Sequence, residues 1–286
     1  AESVMLSKCF ALCCDKARIP PSDIQYLFAG DLLNQCAGST FAARDLPIPY
    51  FGVYGACSTM AESLSLAAMT IDGGYADTVC AMTSSHFCSA ERQFRLPLEY
   101  GGQRTPTAQW TVTGAGALLL TSEGEGPYVT HVTTGRIRDA GVTDANNMGA
   151  AMAPAAYDTL RALFSDTRTS PADYDLIVTG DLGRLGHEVV TDLFARDGVD
   201  MTKNYKDCGL LLYDLERQDM HMGGSGCGCS AAVLNGYLLH GLRTGRWQRL
   251  VFAPTGALLS PTSSFQGESV PGICHAVVLS HTKEAV

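Results

Sequence analysis

The sequence contains no apolar run of the roughly 18–20 residues that a membrane-spanning helix needs. Its N-terminus also lacks the charged-then-apolar layout of a secretory signal peptide. Residues 1–19, AESVMLSKCFALCCDKARI, include acidic side chains, and their apolar positions follow one stripe of a helix. We therefore expect a soluble chain without a transmembrane segment or signal peptide, located in the cytoplasm.

Runs of basic residues are also absent, and the formal net charge is −9. This balance excludes a nucleic-acid partner, because no cluster of Lys and Arg is available to neutralise phosphates. An anionic ligand must instead be met by backbone N–H groups or by a few arginines. The apolar content of 46% and charged content of 17% are typical of a soluble globular protein.

The eleven cysteines form no CxxC pair, which argues against zinc-ribbon and thioredoxin-like sites. Most are expected to be small buried hydrophobes. Cys227 and Cys229, together with Cys57, could in principle bind a soft metal. However, side chains separated by one residue point apart on an extended loop, so we expect no metal site and no cofactor.

The chain repeats itself at an offset of 150 residues. PPSDIQYLFAGDLLN (20–34) shares five positions with SPADYDLIVTGDLGR (170–184), and each copy has a turn, a buried strand and then Gly-Asp. With Val79 superposed on Leu250, the position that matches Cys57 is Gly228. Helices that alternate with buried strands in two similar halves predict a duplicated α/β fold with mostly parallel sheets. We place the halves at residues 1–125 and 126–286.

The second half begins with an apparent extra strand, PYVTHVTTGRI (127–137), whose counterpart would lie before residue 1. The chain also begins with Ala rather than Met. The sequence therefore predicts that an N-terminal strand of the first sheet is missing. The alternative is that the first half is simply smaller.

Cys57 lies in YGACSTMAESLSLAAM (54–69), after Gly-Ala and at the head of an apolar helix-forming run. A thiol at a helix N-terminus is typical of an activated nucleophile, because the helix dipole lowers the pKa of the thiol. The strings GACST and TGAGALLL resemble the nucleophile and late-strand motifs of the ketoacyl-ACP synthase branch of the thiolase fold.

Over nearly the whole chain, the sequence more closely resembles the stage V sporulation protein AD family. The strings that carry this resemblance are AGDLLNQ (29–35), PYFGVYGACST (49–59), TSSHFCSAERQFR (83–95), PTAQWTVTGAGA (106–117), MGAAMAPAA (148–156), YDLIVTGDL (174–182), YKDCG (205–209), GGSGCGCSA (223–231) and TGALLSPTS (255–263).

The resemblance implies a thiolase-like fold, layered α-β-α-β-α, without established acyl-transfer chemistry. It implies a spore protein that binds dipicolinic acid (pyridine-2,6-dicarboxylate) for its uptake or release. The implied partners are membrane proteins of the same sporulation operon. The implied location is peripheral to the spore inner membrane, and the implied assembly is a homodimer.

The residues that acyl condensation needs in the second half are not at the positions the thiolase-like families imply. Where ketoacyl-ACP synthases have a His after a strand, this chain has Gly180 and Asp181. Where they have an Asn in the glycine loop, it has Gly228, and no second cysteine lies near Pro254. We therefore expect a pseudoenzyme with a vestigial nucleophile. The alternative is a Cys57-dependent acyltransferase or condensing enzyme.

The residues that are present around Cys57 and in the glycine loop suit the binding of a dicarboxylate. The first-turn N–H groups of Cys57, Ser58 and Thr59 are expected to be without partners and to face the anion. The glycine loop can bring further N–H groups close. The expected ligand-binding residues are Cys57, Ser58, Thr59, His86, Arg95, Gly226, Cys227 and Gly228, with Arg92 as an alternative to Arg95 for a bidentate pair.

Some of these residues also have a purely structural interpretation. His86 could be a hydrogen-bonded loop residue, and either arginine could form a surface salt bridge. Asp31 and Asp181 each follow a strand and a glycine, where Asp commonly caps the next turn. We expect a structural role for both aspartates.

Overall fold

The computed structural model describes residues 1–94 and 103–283 as two β-sheets with helices outside and between them. Secondary structure therefore alternates as the sequence predicts. The helices are α1 (Glu2–Ala17), α2 (Ala37–Ala43), α3 (Thr59–Asp72), α4 (Phe87–Phe94), α5 (Met148–Thr167), α6 (Gly183–Arg196), α7 (Cys208–Leu212), α8 (Cys227–Val233), α9 (Leu239–Arg243) and α10 (Pro261–Phe265), with a π-helical turn at Leu234–Leu238.

The strands are short and mostly buried, as expected for a sheet covered on both faces. They are β1 (Tyr26–Gly30), β2 (Tyr50–Gly52), β3 (Thr78–Ser85), β4 (Trp110–Thr111), β5 (Gly114–Thr121), β6 (Tyr128–Thr133), β7 (Leu176–Gly180), β8 (Tyr205–Asp207), β9 (Gly224–Ser225), β10 (Arg249–Ala257), β11 (Gly272–Cys274) and β12 (Ala276–Ser280).

The first sheet has the order β2-β1-β3-β5, and the second has the order β6-β12-β10-β7-β8. The 150-residue offset is confirmed in the register: Tyr26 pairs with Val79 as Leu176 pairs with Leu250. The strand β6 pairs with β12, and the described residues contain no counterpart of β6 beside β5 in the first sheet.

The prediction of mostly parallel sheets holds for the strand directions, with one reversed strand in each sheet order. In the first sheet β2, β1 and β3 are parallel and β5 runs antiparallel to β3. In the second sheet β10, β7 and β8 are parallel, and β12 runs antiparallel to both β10 and β6. The segment from β10 to β12 has only the short helix α10, and an antiparallel return does not need a full crossover helix.

Three apolar cores separate the layers. The helices α1 and α2 cover the outer face of the first sheet, and α5 and α6 cover the outer face of the second. The central core contains α3, α8 and α9, packed between the inner faces of the two sheets. This gives the layered α-β-α-β-α arrangement. Within the described residues, no helix combines the length and apolarity required to cross a membrane.

The two halves touch backbone to backbone near the start of α8. The Gly228 N–H donates to Ser85 Oγ at 3.0 Å, and a Cβ at residue 228 would lie 2.5 Å from that oxygen and 2.8 Å from the Ser85 amide nitrogen. It would also collide with the Gly114 carbonyl oxygen. Glycine at 228 is therefore required by the contact between the halves.

The substitution Gly228→Ala is expected to lower the free energy of unfolding by about 1–3 kcal/mol, because backbone atoms of the other half cannot move aside cheaply. Gly236→Ala is the matched control, since nothing lies within 4 Å of a Cβ placed there. We expect that control to be neutral or to stabilise by about 0.5–1 kcal/mol. Urea unfolding measures both, and equal stabilities of the two variants would contradict the close contact.

Candidate functional site

Cys57 lies in a tight turn, Ala56–Ser58, that leads directly into α3. Ala56 has a φ of 50°, in the left-handed region that residues with a Cβ rarely adopt. Such strain is often found at functional sites. The Cys57 side chain is 6% exposed, and its Sγ lies 3.6 Å from Ser225 Oγ of the second half. The turn thus presents the thiol to the contact between the halves.

The N–H groups that follow Cys57 are already used inside the turn. The Ser58 N–H donates to the Gly55 carbonyl at 3.0 Å, and the Thr59 N–H donates to the Ala56 carbonyl. Both hydroxyls also bond locally, and both side chains are fully buried. The prediction that Ser58 and Thr59 offer unpaired N–H groups to an anion is wrong, because a 3₁₀ turn pairs amides that an α-helix would leave without partners.

The pKa of the Cys57 thiol is raised well above its ordinary value, chiefly by burial and then by the neighbouring Asp181 carboxyl. The Ser225 hydroxyl and the Gly226 N–H oppose this rise without cancelling it. The sequence-based expectation of a lowered pKa is therefore wrong. Burial of the sulfur outweighs the helix N-terminus, so Cys57 is a thiol at neutral pH and a weak nucleophile.

A cavity with about 50 Å³ of free space opens beside Cys57, between the two halves. Apolar wall residues include Leu32, Phe94 and Met148. No histidine lines it among residues 1–94 and 103–283. The polar side chains that line it are Glu91, Arg104, Gln109, Thr111, Asn146 and Ser225.

Arg104 is the cation of this cavity. Its guanidinium carbon lies 3.5 Å from the ring centroid of Trp110, and its Nη2 is 2.9 Å from Glu91 Oε1. Its Nη1 donates to the Gln109 carbonyl at 2.6 Å. Only 6% of the Arg104 side chain is exposed. Stacking on the indole and pairing with the carboxylate fix the orientation of the guanidinium.

The strand pair β4–β9 joins this Arg104 wall to the second half. Trp110 pairs with Gly224 and Thr111 pairs with Ser225 in parallel register. The position of Ser225, which faces Cys57, is therefore fixed by the strand that carries Trp110. The same strand pair orders both sides of the cavity.

The predicted residues His86 and Arg92 lie elsewhere. They line a separate groove beside the N-terminus, together with Glu2 and Ser89, and neither lines the Cys57 cavity. His86 Nδ1 accepts the Cys88 N–H, which agrees with the alternative of a hydrogen-bonded loop histidine. Arg95 lies outside the described residues, so its role stays a prediction.

The glycine loop contributes more to packing than to the cavity wall. Cys227 Sγ donates to the Ser84 carbonyl at 3.0 Å, and Cys227 is fully buried in a small cluster with Cys57. The Gly228 N–H is occupied by Ser85. Gly226 has a φ of 101°, and its N–H acts on the Cys57 thiol. Within the described part of the chain, no group of three or more His, Cys, Asp and Glu is placed to hold a metal ion.

Asp31 is a structural cap, as predicted. Its carboxylate accepts the Leu33 N–H at 2.8 Å, and it accepts both the N–H and the hydroxyl of Ser39 at 2.6 and 2.7 Å. This set of bonds fixes the turn after β1 and the start of α2.

The same prediction is wrong for Asp181, which is the repeat counterpart of Asp31. The turn after β7 is capped instead by Asp207, which accepts the N–H groups of Leu182 and Gly183, each at 3.1 Å. The Asp181 carboxyl is completely buried, and neither of its oxygens has a hydrogen-bond partner among the described residues. Burial, followed by the nearby Asp207, raises its pKa well above the ordinary range, and the Gly226 N–H opposes this rise without cancelling it.

Sequence reasoning did not find Glu91, Arg104, Gln109, Asn146 or Ser225. One signal was available for Glu91, Gln109 and Ser225, which lie inside the family-like strings TSSHFCSAERQFR, PTAQWTVTGAGA and GGSGCGCSA. Arg104 lies just before the second of these strings, and no spacing rule connects it with Cys57. Tertiary contacts bring these segments together, namely the β4–β9 pairing and the Arg104–Glu91 ion pair.

This architecture, with a cysteine heading a central helix beside an interhalf cavity, defines the thiolase-like class of condensing-enzyme folds. A variant of Xanthomonas campestris OleA bound with cerulenin has a similar structure, with a TM-score of 0.64 at 16% identity, covering 97% of this chain and 79% of that one. The 3-oxoacyl-(acyl carrier protein) synthase III FabH from Pseudomonas aeruginosa PAO1 gives 0.60 at 15% identity, covering 100% and 84%. These similarities establish the fold.

The chain belongs to the stage V sporulation protein AD (SpoVAD) family, whose family model matches residues 1–280. Stage V sporulation protein AD of Bacillus subtilis (strain 168) is 44% identical to it over 278 residues. That alignment covers 97% of this chain and 82% of the relative. The family assignment made from the sequence is confirmed.

The burial and raised pKa of Cys57 predict that iodoacetamide at neutral pH leaves this thiol largely unmodified, because alkylation needs an accessible thiolate. Cys88, which is exposed, is the internal control and is expected to react first. Peptide mass spectrometry measures both, with urea-unfolded protein as the reference for full reactivity. Labelling of Cys57 as fast as Cys88 in the folded protein would contradict the weak-nucleophile interpretation.

Proposed function

We propose that this sporulation protein is not an enzyme and that it binds dipicolinic acid, or a similar aromatic dicarboxylate, in the Cys57 cavity. In this role it would serve the uptake of dipicolinate into spores or its release from them. Membership of the SpoVAD family supports a place in sporulation. The ligand follows from the resemblance and from the chemistry of the cavity wall.

The observation that carries the proposal is the buried Arg104 on the wall of the Cys57 cavity. A guanidinium binds a carboxylate through two parallel hydrogen bonds, and burial strengthens this interaction by excluding water. Arg104 already pairs with the Glu91 carboxylate at 2.9 Å. An incoming carboxylate would share or take over that partner.

Aromatic and amide groups suit the rest of such a ligand. Phe94 on the wall supplies flat apolar surface for a pyridine ring. The Trp110 ring, which is covered by Arg104 and stacked with Phe87, holds the guanidinium in place. Two buried polar atoms near Arg104, Trp110 Nε1 and Gln109 Oε1, have no hydrogen-bond partner among the described residues. Buried polar groups without partners are costly, and a polar ligand can satisfy them.

The free space of about 50 Å³ is smaller than an aromatic dicarboxylate. Entry of the ligand therefore requires wall side chains to move. The wall includes Phe94 and Asn146, which are only half-buried. We expect binding to be accompanied by a local rearrangement on the Arg104 side of the cavity rather than at the tightly packed Cys57 turn.

The proposal includes a homodimer peripheral to the spore inner membrane, with membrane proteins of the same operon as partners. The edge strand β2 supports a contact between copies, because Phe51 on it is 53% exposed. Phe41, also exposed, lies on the neighbouring helix α2. Exposed aromatic side chains at a sheet edge are common at subunit contacts.

Binding of dipicolinate by isothermal titration calorimetry tests the proposal, with benzoate as the single-carboxylate control. Arg104→Gln is expected to weaken dipicolinate binding by roughly 10- to 100-fold, since it removes a charge-assisted pair. Arg92→Gln, at the arginine that the structure places in the separate groove, is the matched control and should bind as the wild type does.

A second variant guards against misfolding, because Arg104→Gln leaves Glu91 without its cation. Arg104→Gln combined with Glu91→Gln keeps a neutral pair, and its circular dichroism and melting temperature report whether the fold is intact. A folded double variant that binds dipicolinate as the wild type does would exclude Arg104 from the site. Equal, negligible heats for dipicolinate and benzoate with wild type would overturn the proposed function.

The alternative function, a Cys57-dependent acyltransferase, is favoured by the retained cysteine and by the fold. It is opposed by the raised pKa of the thiol and by the lack of a histidine on the described cavity wall. Incubation with acyl-CoA or acyl-ACP is therefore expected to leave the intact mass unchanged. A mass increase that Cys57→Ala abolishes would establish the enzyme instead.

A further inference from the structure

The duplication supplies an internal comparison between two aspartates at the same position of the repeat. Asp31 uses both carboxylate oxygens to cap a turn. Asp181 has lost that role to Asp207, which accepts the amides of the turn and also the Thr179 hydroxyl at 3.0 Å. Val189 stands at the repeat position of Ser39 and has no polar group to offer.

Asp181 is thus a buried carboxyl that the fold does not use. Its oxygens have no hydrogen-bond partner among the described residues, although desolvating such a group without compensation is costly. Its φ of 73° adds backbone strain. Both the desolvated carboxyl and the positive φ of Asp181 destabilise the fold, and neither is compensated by a structural role. We therefore look for a functional role.

The position of Asp181 connects it to the Cys57 cavity. Gln109, which lines the cavity, donates from its amide nitrogen to the Asp181 carbonyl at 2.5 Å. The Asp181 carboxyl raises the pKa of the Cys57 thiol, so it lies within electrostatic range of a residue on the wall. Asp181 is not itself a lining residue, and a ligand would reach its carboxyl only after wall side chains such as Gln109 move. The other titratable groups that face Asp181 are Asp207, Cys208 and Cys229, which are all acidic. The Gly226 N–H favours the anionic form of Asp181 but does not outweigh burial and the Asp207 charge.

We propose that Asp181 is a ligand-binding residue of the Cys57 cavity, which keeps its proton and donates it in a hydrogen bond to a carboxylate or ring nitrogen of the bound ligand. This rests on the proposed function and deepens it. Arg104 then holds one acidic group of the ligand by charge, while the protonated Asp181 carboxyl donates a hydrogen bond to another acceptor of the ligand.

The pH dependence of binding follows from the raised pKa of Asp181. An acid with a raised pKa is protonated at neutral pH and becomes a donor-free anion as pH rises through that pKa. Dipicolinate, itself an anion, would then be repelled. The affinity of the wild type is therefore expected to fall toward alkaline pH.

Two variants separate the effect of the Asp181 hydrogen-bond donor from the effect of Asp181 ionisation. Asp181→Asn keeps a donor of nearly the same shape, cannot ionise, and tolerates a positive φ. Asp181→Gly removes the donor and suits the backbone conformation. The control is Asp31→Asn, at the repeat counterpart whose role is structural.

Calorimetry with dipicolinate at about pH 6 and about pH 9 is the experiment. We expect Asp181→Gly to bind about tenfold or more weakly at the lower pH, the loss of one hydrogen bond to a charged group. Asp181→Asn should keep most of the affinity and lose much of the decline toward alkaline pH. Asp31→Asn should lower the melting temperature and leave the dissociation constant unchanged.

Wild-type affinity in folded Asp181→Gly, or a wild-type pH profile in Asp181→Asn, would overturn the role of Asp181 and leave the proposed function standing. If the wild type itself does not bind dipicolinate, the proposed function fails and this role fails with it. Melting temperatures add an independent check, since removal of a carboxyl without partners should leave the stability of Asp181→Asn equal to that of the wild type or higher.

Discussion

The site depends on a contact at which the backbones of the two halves approach with no side chain between them. Gly228 at the start of α8 meets Ser85 and Gly114, and Gly256 on β10 meets the Gly55 carbonyl just before the Cys57 turn. Because each contact excludes even a methyl group, the sulfur, the Ser225 hydroxyl and the Asp181 carboxyl have fixed relative positions. The chemistry of the cavity follows from that constraint.

The electrostatics of this contact differ from those of a nucleophilic site. The described groups around the thiol include buried acids and hydroxyls. Burial raises the pKa of Asp207 to about 7, and burial followed by the Asp207 charge raises that of Asp181 well above its ordinary range. The cation Arg104 lies farther along the wall, oriented by Trp110 and Glu91. Neutral donors at one end and a guanidinium at the other form an arrangement suited to holding an acidic ligand.

The sequence predicted the duplication, the strand register, the helix that follows Cys57 and the family, because these depend on hydrophobic periodicity and on long local strings. It did not predict the availability of N–H groups. An α-helix would leave the Ser58 and Thr59 amides free, whereas the 3₁₀ turn pairs them. It also gave the wrong direction for the pKa of Cys57, since burial depends on what packs above the helix start.

The cavity wall was beyond prediction for a similar reason. Arg104 reaches the Cys57 cavity through its ion pair with Glu91 and through the pairing of β4 with β9, two strands of two residues each that carry no periodic signal. Asp31 and Asp181 look identical in sequence, and only the placement of Asp207 separates a structural cap from a buried acid without a partner. Function in this fold is set by tertiary contacts laid over a repeated local pattern.

The most direct test of dipicolinate binding in the Cys57 cavity is a crystal structure of the protein with dipicolinate. The account predicts an intact, non-covalent ligand beside Cys57, with one carboxylate on the Arg104 guanidinium and the ring against the aromatic wall. A ligand seated instead in the groove of His86 and Arg92, or electron density continuous with the Cys57 sulfur, would contradict it.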